Sequence, residues 1–193
     1  FATRAALGLG ASVKIFDNSI YRLRRIQNDL GQRLYTSILQ PSELLKALKT
    51  ADVVIGALRP VNGRTPVVVT NEMVSQMKFG SVIMDVSIDR GGCFETSVVT
   101  SHDKPTFQKY GVIHYGVPNI ASRFAKTASM ALSNIFLPIL LTMGESGGCE
   151  NLIKVNAGIR HSVYLFKGSL TNEVIASVFD LPYKSIDLLI ATL

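Results

Sequence analysis

Apolar and amphipathic segments alternate along the first two thirds of the chain. Continuous apolar runs, which are typical of buried strands, occur at residues 12–16, 53–57, 81–86 and 112–115. Amphipathic segments, which are typical of helices, occur between them at residues 19–30, 42–49 and 71–77. Strands that alternate with helices favour βαβ units around a parallel sheet. The pattern therefore predicts an α/β fold with a doubly wound, Rossmann-type parallel sheet.

The remaining segments complete this prediction. Residues 1–9 are typical of the end of a helix that Gly10 stops, and residues 34–37 of a short strand. Residues 60–69 and 97–108 are predicted to be loops. The strand at 112–115 is predicted to be the last strand. A long apolar helix is predicted at 126–143 and a shorter helix at 172–179. We expect two domains, residues 1–125 and residues 126–193.

Asp17 follows the first apolar run directly. A strand that ends in an acidic residue is the second half of a dinucleotide-binding βαβ unit, whose first half is a strand and a G-x-G-x-x-G loop. Gly8-Leu9-Gly10 lies at the wrong end of the helix to be that loop. We therefore expect the first strand and the glycine loop to precede Phe1, in a longer chain.

The carboxylate of Asp17 is suited to bind the adenosine ribose. It can accept hydrogen bonds from both ribose hydroxyls, and it repels the 2′-phosphate of NADP. The alternative is that Asp17 caps the following helix. Arg22, Arg24 and Arg25 crowd that helix, so NADP also stays open as a cofactor, although Arg24 and Arg25 fit a solvated face.

The segment 84–97 has the sequence Met-Asp-Val-Ser-Ile-Asp-Arg-Gly-Gly-Cys-Phe-Glu-Thr-Ser. It predicts that Asp89 sits where a buried strand ends, at the edge where open α/β sheets bind ligands. Gly91 and Gly92 permit a positive φ and a close approach of the backbone to a ligand. The alternative is an ordinary glycine turn after a strand.

Composition narrows the classes of function. Hydrophobic residues make up 47% of the 193 residues and charged residues 18%, which suits a globular protein with a large core. The net charge of +6 comes without a basic run or an aromatic-spaced patch, which argues against a nucleic-acid face. Cys93 and Cys149 are far apart, which suggests neither a disulfide framework nor a zinc site and fits a reducing compartment. The apolar run at 128–143 is shorter than the about 20 residues of a membrane span, so a core or interface helix is expected.

The segment 84–97 resembles the nucleotide-domain signature of alanine dehydrogenases, and it is called the signature segment below. The runs Thr65-Pro66, 69–74 (Val-Thr-Asn-Glu-Met-Val), 102–106 (His-Asp-Lys-Pro-Thr) and 117–120 (Val-Pro-Asn-Ile) are similar to the same family, and the likeness covers nearly the whole chain. The resemblance implies an NAD-binding domain whose C-terminal extension completes a second, substrate domain. It also implies oxidation of L-alanine to pyruvate and ammonia by hydride transfer to NAD, in a cytoplasmic hexamer without a membrane partner.

The resemblance also assigns roles to individual residues. It places Arg22 beside the adenosine, and it places the loop from Val117 to Ile120 beside the nicotinamide ring. Asn119 offers an amide suited to the carboxamide, and Ile120 an apolar face, although many relatives have methionine there. The other residues assigned to the cofactor are Leu58, Arg59, Val86, Ile88 and Asp89. Leu58 fits ordinary core packing equally well.

Asp89 is the one catalytic residue that the resemblance implies. It would hold the nicotinamide ribose and steady charge during the reaction. The groups that grip the substrate carboxylate and move protons are expected upstream of Phe1, so no general base is assigned. We expect His102 to be a turn residue and His114 a packed core residue. Val98 departs from the family, where an arginine commonly follows Glu-Thr-Ser.

Two alternatives to an alanine dehydrogenase stay open. One is the NAD-binding subunit of a proton-translocating transhydrogenase, which resembles the signature less well because such proteins usually have Glu-Arg-Gly-Gly-Asn there. The other is a non-catalytic NAD-binding module.

Overall fold

The structure is a computed structural model that describes residues 1–60 and 63–191. Contacts divide the chain into two units. The larger comprises Phe1–Arg59 and Arg64–Pro118, and the smaller comprises Pro60–Gly63 and Asn119–Leu193. The predicted boundary at residue 125 lies within the smaller unit, and the division into an NAD-binding and a substrate domain stays a prediction.

The larger unit contains a predominantly parallel sheet, as predicted. Strand β1 (Lys14–Phe16) pairs in parallel with β2 (Tyr35–Ser37). Four further strands form a sheet in the order β3-β4-β6-β5, and their ranges are β3 Val53–Gly56, β4 Val82–Asp85, β5 Thr106–Lys109 and β6 Val112–Tyr115. Strands β3, β4 and β6 are parallel, whereas β5 is antiparallel to β6. The prediction of a loop throughout residues 97–108 is therefore wrong for β5.

Local signals define the helices of this unit, whose ranges are α1 Ala2–Gly8, α2 Ile20–Leu30, α3 Pro41–Thr50 and α4 Asn71–Ser75. The Ser19 hydroxyl caps α2 by accepting a hydrogen bond from the backbone N–H of Arg22, and Gly31 ends the helix in the left-handed region at φ 67°. Pro41 stands at the start of α3, where its missing N–H costs nothing. These ends agree with the predicted ranges within two residues.

Strands β1 and β3 each have a hydrogen-bonded neighbour on one side within the described residues. Strand β1 pairs with β2 and β3 pairs with β4, and the two sheets are separate. Val53 and Ile55 on β3 are 59% and 44% exposed, although strands inside an open α/β sheet are buried on both faces. The expectation that a first strand precedes Phe1 stays a prediction.

One face of the four-stranded sheet carries the core of the larger unit. Its buried members come from α3, α4, β4, β6 and the loops around them: Leu44, Leu48, Val69, Val74, Met77, Ile83, Cys93, Phe94 and Val112. Phe16, Val54 and Leu58 pack against this cluster. The end of β1, the strand β3 and the loop that contains Cys93 therefore share one core.

The smaller unit is mainly helical. It begins with a 3₁₀ helix (Ile120–Phe124), and its other elements are α5 Ala125–Glu145, α6 Cys149–Val155, α7 Ala157–His161, β7 Leu165–Phe166, β8 Ser169–Leu170, α8 Glu173–Phe179 and α9 Ile186–Ala191. Strands β7 and β8 form an antiparallel hairpin, so the prediction that residues 112–115 are the last strand is wrong. Ile153, Phe166 and Ile186 form its core.

Helix α5 is apolar and exposed along its length. Seven of its large apolar side chains are 54–61% exposed: Met130, Leu132, Ile135, Phe136, Leu137, Leu140 and Leu141. Among the described residues, Ile120–Glu145 alone passes the length and composition test for a membrane span, with a mean hydropathy of 1.4. One such helix is weak evidence, because core helices pass the same test. At 21 residues the helix is nevertheless longer than predicted, so the prediction that the apolar segment is too short for a membrane span is wrong.

Candidate functional site

A cavity lies at the carboxyl ends of β3 and β4. Its volume is about 240 Å³, and seven residues from two segments line it: Ala57, Leu58, Arg59, Val86, Ser87, Asp89 and Arg90. The first segment leaves β3 and the second leaves β4. Because these strands are parallel and adjacent, their carboxyl ends meet at one edge of the sheet, where open α/β sheets bind ligands.

Asp89 does not stand at the strand end, which corrects the prediction. Strand β4 ends at Asp85, and the chain then forms a 3₁₀ helix, Val86–Arg90. Asp89 lies in this helix, exposed and at the cavity. The residue that ends the strand is therefore Asp85, which is 2% exposed.

The Asp85 carboxylate accepts hydrogen bonds from four groups of the following loop, and the longest of these bonds is from the thiol of Cys93 to Oδ1 at 3.7 Å. Its Oδ1 accepts from the backbone N–H of Ser87 at 3.0 Å, and its Oδ2 accepts from the backbone N–H of Cys93 at 2.9 Å. The hydroxyl of Ser97 also donates to Oδ2, at 2.6 Å. Asp85 was not among the residues predicted from the sequence, although an acidic residue two positions before a serine is a signal for this kind of local cap.

Two glycines let the chain pass close to this carboxylate. Gly92 has a φ of 79°, and a Cβ at this position would lie 2.6 Å from Asp85 Oδ2. At Gly56, the last residue of β3, a Cβ would overlap Cys93 Sγ and lie 2.5 Å from Phe94 Cε2. The positive φ predicted for Gly91 and Gly92 is confirmed, at 99° and 79°. The close neighbour of Gly92 is Asp85, and the approach of this backbone to a ligand stays a prediction.

Cys93 is buried beside Asp85, and its thiol is not a nucleophile. Burial, and next the negative charge of Asp85, raise the pKa of Cys93 to about 12, while a weaker contact with the Ser87 hydroxyl acts in the opposite direction. Thiolate is the reactive form of cysteine, so this side chain serves packing. The Ser87 hydroxyl lines the cavity and has no well-formed hydrogen bond within the described residues.

Asp17 and Arg22 lie together at the carboxyl end of β1. Asp17 Oδ1 accepts a hydrogen bond from the backbone N–H of Ser19 at 2.7 Å, and its Oδ2 lies 3.6 Å from Arg22 Nη1. The Asp17 side chain is 26% exposed, so one carboxylate supports the start of α2 and also faces solvent. Both interpretations of Asp17, as a cap and as a ribose ligand, are compatible with this geometry.

The other predicted cofactor residues fall into three groups. The side chains of Ile88 and Val117 are 4% and 3% exposed, so they pack inside the larger unit and do not line the cavity. Asn119 and Ile120 belong to the smaller unit, where Asn119 has a φ of 50° and precedes the 3₁₀ helix. Leu58, Arg59, Val86 and Asp89 are thus the predicted residues that the structure gathers at the cavity.

His114 is a core residue, as predicted. It is 1% exposed, its Nε2 lies 2.9 Å from Thr96 Oγ1, and its Nδ1 lies 3.0 Å from the carbonyl oxygen of Val112. Because a carbonyl can only accept, Nδ1 carries the proton in the neutral ring and Nε2 accepts from Thr96. Burial lowers the pKa of His114, so the ring is neutral at physiological pH. Within residues 1–60 and 63–191, no group of His, Cys, Asp and Glu is arranged to hold a metal ion.

These features define the class of protein. An open parallel sheet with helical crossovers, and with a cavity and an acidic loop at its carboxyl edge, is a Rossmann-type α/β domain. The particular family follows from comparison, since residues 1–173 match the family model described as alanine dehydrogenase/PNT, C-terminal domain. The chain belongs to this family.

Individual relatives agree with the assignment. The chain is 39% identical over 187 residues to alanine dehydrogenase 2 of Staphylococcus aureus strain USA300, covering 96% of this chain and 50% of the relative. A solved L-alanine dehydrogenase superposes with a TM-score of 0.83 at 35% identity, over 93% of this chain and 49% of that one. A transhydrogenase from Sinorhizobium meliloti gives 0.64 at 26% identity, over 79% and 42%. The chain thus spans about half the length of the relatives it matches.

Proposed function

We propose that the protein is an NAD-dependent alanine dehydrogenase, and that this chain supplies its nucleotide-binding half. The observation that carries the proposal is the position of Asp89 in a cavity at the carboxyl ends of β3 and β4. Similarity to alanine dehydrogenases over 96% of the chain supports the choice of reaction. The reaction would convert L-alanine, water and NAD into pyruvate, ammonia and NADH.

The residues at the two strand ends fit a nicotinamide dinucleotide. Asp17 offers a partly exposed carboxylate for the adenosine ribose, with Arg22 beside it. The cavity offers the Ser87 hydroxyl without a well-formed partner, and the exposed carboxylate of Asp89, to a polar ligand. Leu58 and Val86 give the cavity apolar walls. We propose that Val117, Asn119 and Ile120 lie beside the nicotinamide, with Ile88 and Val117 contributing backbone only.

When bound, NAD supplies the acceptor for the hydride that leaves Cα of alanine. Asp89 holds a negative charge beside the reacting carbon of the substrate. The substrate nitrogen bonded to that carbon gains positive charge as the hydride leaves, so Asp89 stabilises the transition state more than the ground state. The 3₁₀ helix Val86–Arg90 fixes where this charge stands. Binding of the substrate carboxylate and proton transfer are assigned to other parts of the protein.

An activity assay on the complete protein tests this proposal. We expect NADH to form from L-alanine and NAD, with NADP a poorer acceptor because Asp17 repels a 2′-phosphate. We expect Asp89→Asn, which keeps the shape and removes the charge, to lower kcat much more than it weakens NAD binding. Equal losses in kcat and in NAD affinity would reduce Asp89 to a ribose ligand, and full activity would reduce it to a turn residue.

A transhydrogenase subunit is the second candidate, because the Sinorhizobium meliloti transhydrogenase has a similar structure. The same protein would then transfer hydride between NADH and an NADP analogue and would form no NADH from alanine. The two outcomes exclude each other in a single pair of assays. A protein that binds NAD and fails both assays would be a non-catalytic module.

We further propose a cytoplasmic homo-oligomer, a hexamer, without a membrane partner. The exposed apolar length of α5 supports a contact surface for protein. The resemblance to alanine dehydrogenases supports the hexamer. The molar mass of the complete protein in light scattering, with and without detergent, tests both statements.

A further inference from the structure

We propose that Asp85 is the positioning residue of the site: its buried carboxylate holds the loop of residues 86–97 and thereby fixes Asp89 at the cavity. The proposal rests on the function proposed for Asp89. It assigns a role to a residue that does not line the cavity itself.

The contacts of Asp85 span the whole loop. Its carboxylate binds the N–H of Ser87 two residues ahead, the N–H of Cys93 eight residues ahead and the hydroxyl of Ser97 twelve residues ahead. Among the described residues, no lysine, arginine or histidine forms an ion pair with it. A buried carboxylate without a cation depends on hydrogen-bond donors, and here these donors all come from one loop. The carboxylate therefore serves as the centre around which the loop closes.

Asp89 lies inside the segment that these bonds enclose. It follows Ser87 by two residues, and it precedes Cys93 by four. The backbone N–H groups of Gly91 and Gly92 donate to the carbonyls of Ile88 and Ser87, which ties the 3₁₀ helix to the glycine turn. These backbone bonds hold the segment of chain from which the Asp89 side chain projects.

Asparagine cannot replace Asp85, even though it has the same shape. Oδ1 accepts from one backbone N–H and Oδ2 accepts from another. An amide has one oxygen, so in either orientation its NH₂ group would face a backbone N–H that can only donate. The carboxylate is thus required at both oxygens, because an unsatisfied buried donor is costly.

A milder substitution tests the role while it keeps both backbone contacts. Ser97→Ala removes only the hydroxyl bond to Asp85. Ser81→Ala is a matched control, because it removes a hydroxyl bond of the same 2.6 Å length, to the carbonyl of Lys78 outside the loop. We expect Ser97→Ala to lower kcat for alanine oxidation by about tenfold or more with little change in NAD affinity, since a misplacement of about 1 Å can cost about 10²-fold. Ser81→Ala should leave kcat unchanged.

A double-mutant cycle separates positioning from a general loss of structure. If Asp85 and Ser97 act through Asp89, Ser97→Ala should have no further effect on kcat in an Asp89→Asn protein. The proposal would be overturned if Ser97→Ala lowered kcat by the same factor in the wild-type and Asp89→Asn proteins. It would also be overturned if Ser97→Ala and Ser81→Ala had equal effects on kcat. Asp85→Asn should lower kcat more than Ser97→Ala does. If the Asp85→Asn protein does not fold, the test rests on Ser97→Ala.

Hydrogen exchange distinguishes failure of this proposal from failure of the proposed function. In the complete protein, Ser97→Ala should speed amide exchange in residues 86–97, whereas Ser81→Ala should leave that segment unchanged. This readout needs no turnover. A protein without alanine activity whose loop still loosens only in Ser97→Ala would refute the reaction and keep the positioning role, and an unchanged loop would refute the positioning role itself.

Discussion

At the scale of single residues, each acidic side chain near the sheet edge has different surroundings. Asp85 is buried and surrounded by donors, Asp89 is exposed at the cavity, and Asp17 is shared between a backbone N–H and Arg22. A buried carboxylate whose oxygens all accept hydrogen bonds organises structure, whereas an exposed carboxylate is accessible from solvent. Burial and bonding therefore separate the three roles.

Substitution of Asp17 tests the ribose assignment. We expect Asp17→Ala to weaken NAD by about 1.5–3 kcal/mol, the contribution of a hydrogen bond to a charged group, and to favour NADP relative to NAD. Asp29→Ala is the control, because Asp29 forms a similar ion pair with Arg25 at the other end of α2. Titration calorimetry measures both, and an equal NAD affinity for wild type and Asp17→Ala would leave Asp17 as a helix cap.

His114 should make stability depend on pH. Burial, and less strongly the charge of Lys109, lower its pKa in the folded protein, while the bond to the Val112 carbonyl acts in the opposite direction. The unfolded chain therefore binds the proton more readily, and the free energy of unfolding should fall as pH drops below about 6.5, the ordinary value for histidine.

Urea denaturation at a series of pH values measures this dependence. His114→Gln should flatten it between about pH 7.5 and pH 5.5, the range in which an unfolded histidine takes up its proton. His161→Gln is the control, since His161 is exposed on α7. Equal slopes for wild type and His114→Gln would contradict the assignment of this proton to His114.

At the scale of elements, the helices and strands whose ends are marked by local sequence signals were predicted correctly. Helices α2 and α3 were predicted closely because Ser19, Gly31 and Pro41 mark their ends. Strand β5 was missed because its support is the antiparallel pairing with β6, and the hairpin of β7 and β8 because its strands have two residues each. Of the two acidic residues of the site loop, one was predicted from the sequence. Asp89 was found through its motif, whereas Asp85 was missed because two of its donors are eight and twelve residues away.

The packing of β3 against the site loop can be tested at one glycine. Gly56→Ala should destabilise the larger unit by about 1–3 kcal/mol, because the added methyl group would overlap Cys93 Sγ and crowd Phe94. Gly8→Ala is the matched control on α1, where a Cβ meets nothing within 4 Å, and it should leave stability unchanged or slightly higher. Denaturant midpoints compare the two, and similar midpoints would mean that the loop moves aside easily.

At the scale of the whole molecule, two kinds of apolar or unpaired surface are exposed. Strands β1 and β3 have free backbone edges within the described residues, and α5 exposes apolar side chains around most of its circumference. Free sheet edges and large apolar patches are both sites of association. Whether the chain associates in water therefore depends on whether other protein covers these surfaces.

We expect the 193-residue chain by itself to self-associate as its concentration rises. Leu137→Glu with Leu141→Glu should reduce this association, because both leucines are exposed on one side of α5. Ser129→Glu with Ser133→Glu adds the same charge at polar positions of the helix and should reduce it less. Light scattering across a concentration series measures the molar mass, and a monomer at every concentration would contradict the expectation.

The contrast between the two cysteines makes the protein simple to label. Cys149 is exposed at the start of α6, whereas Cys93 is buried with a pKa of about 12. Because thiol reagents attack the thiolate, a maleimide dye at neutral pH should attach at Cys149 alone. On the 193-residue chain, a single fluorophore would then report from the smaller unit while the cavity in the larger unit keeps its native chemistry, and neither of its two cysteines needs to be removed before the experiment.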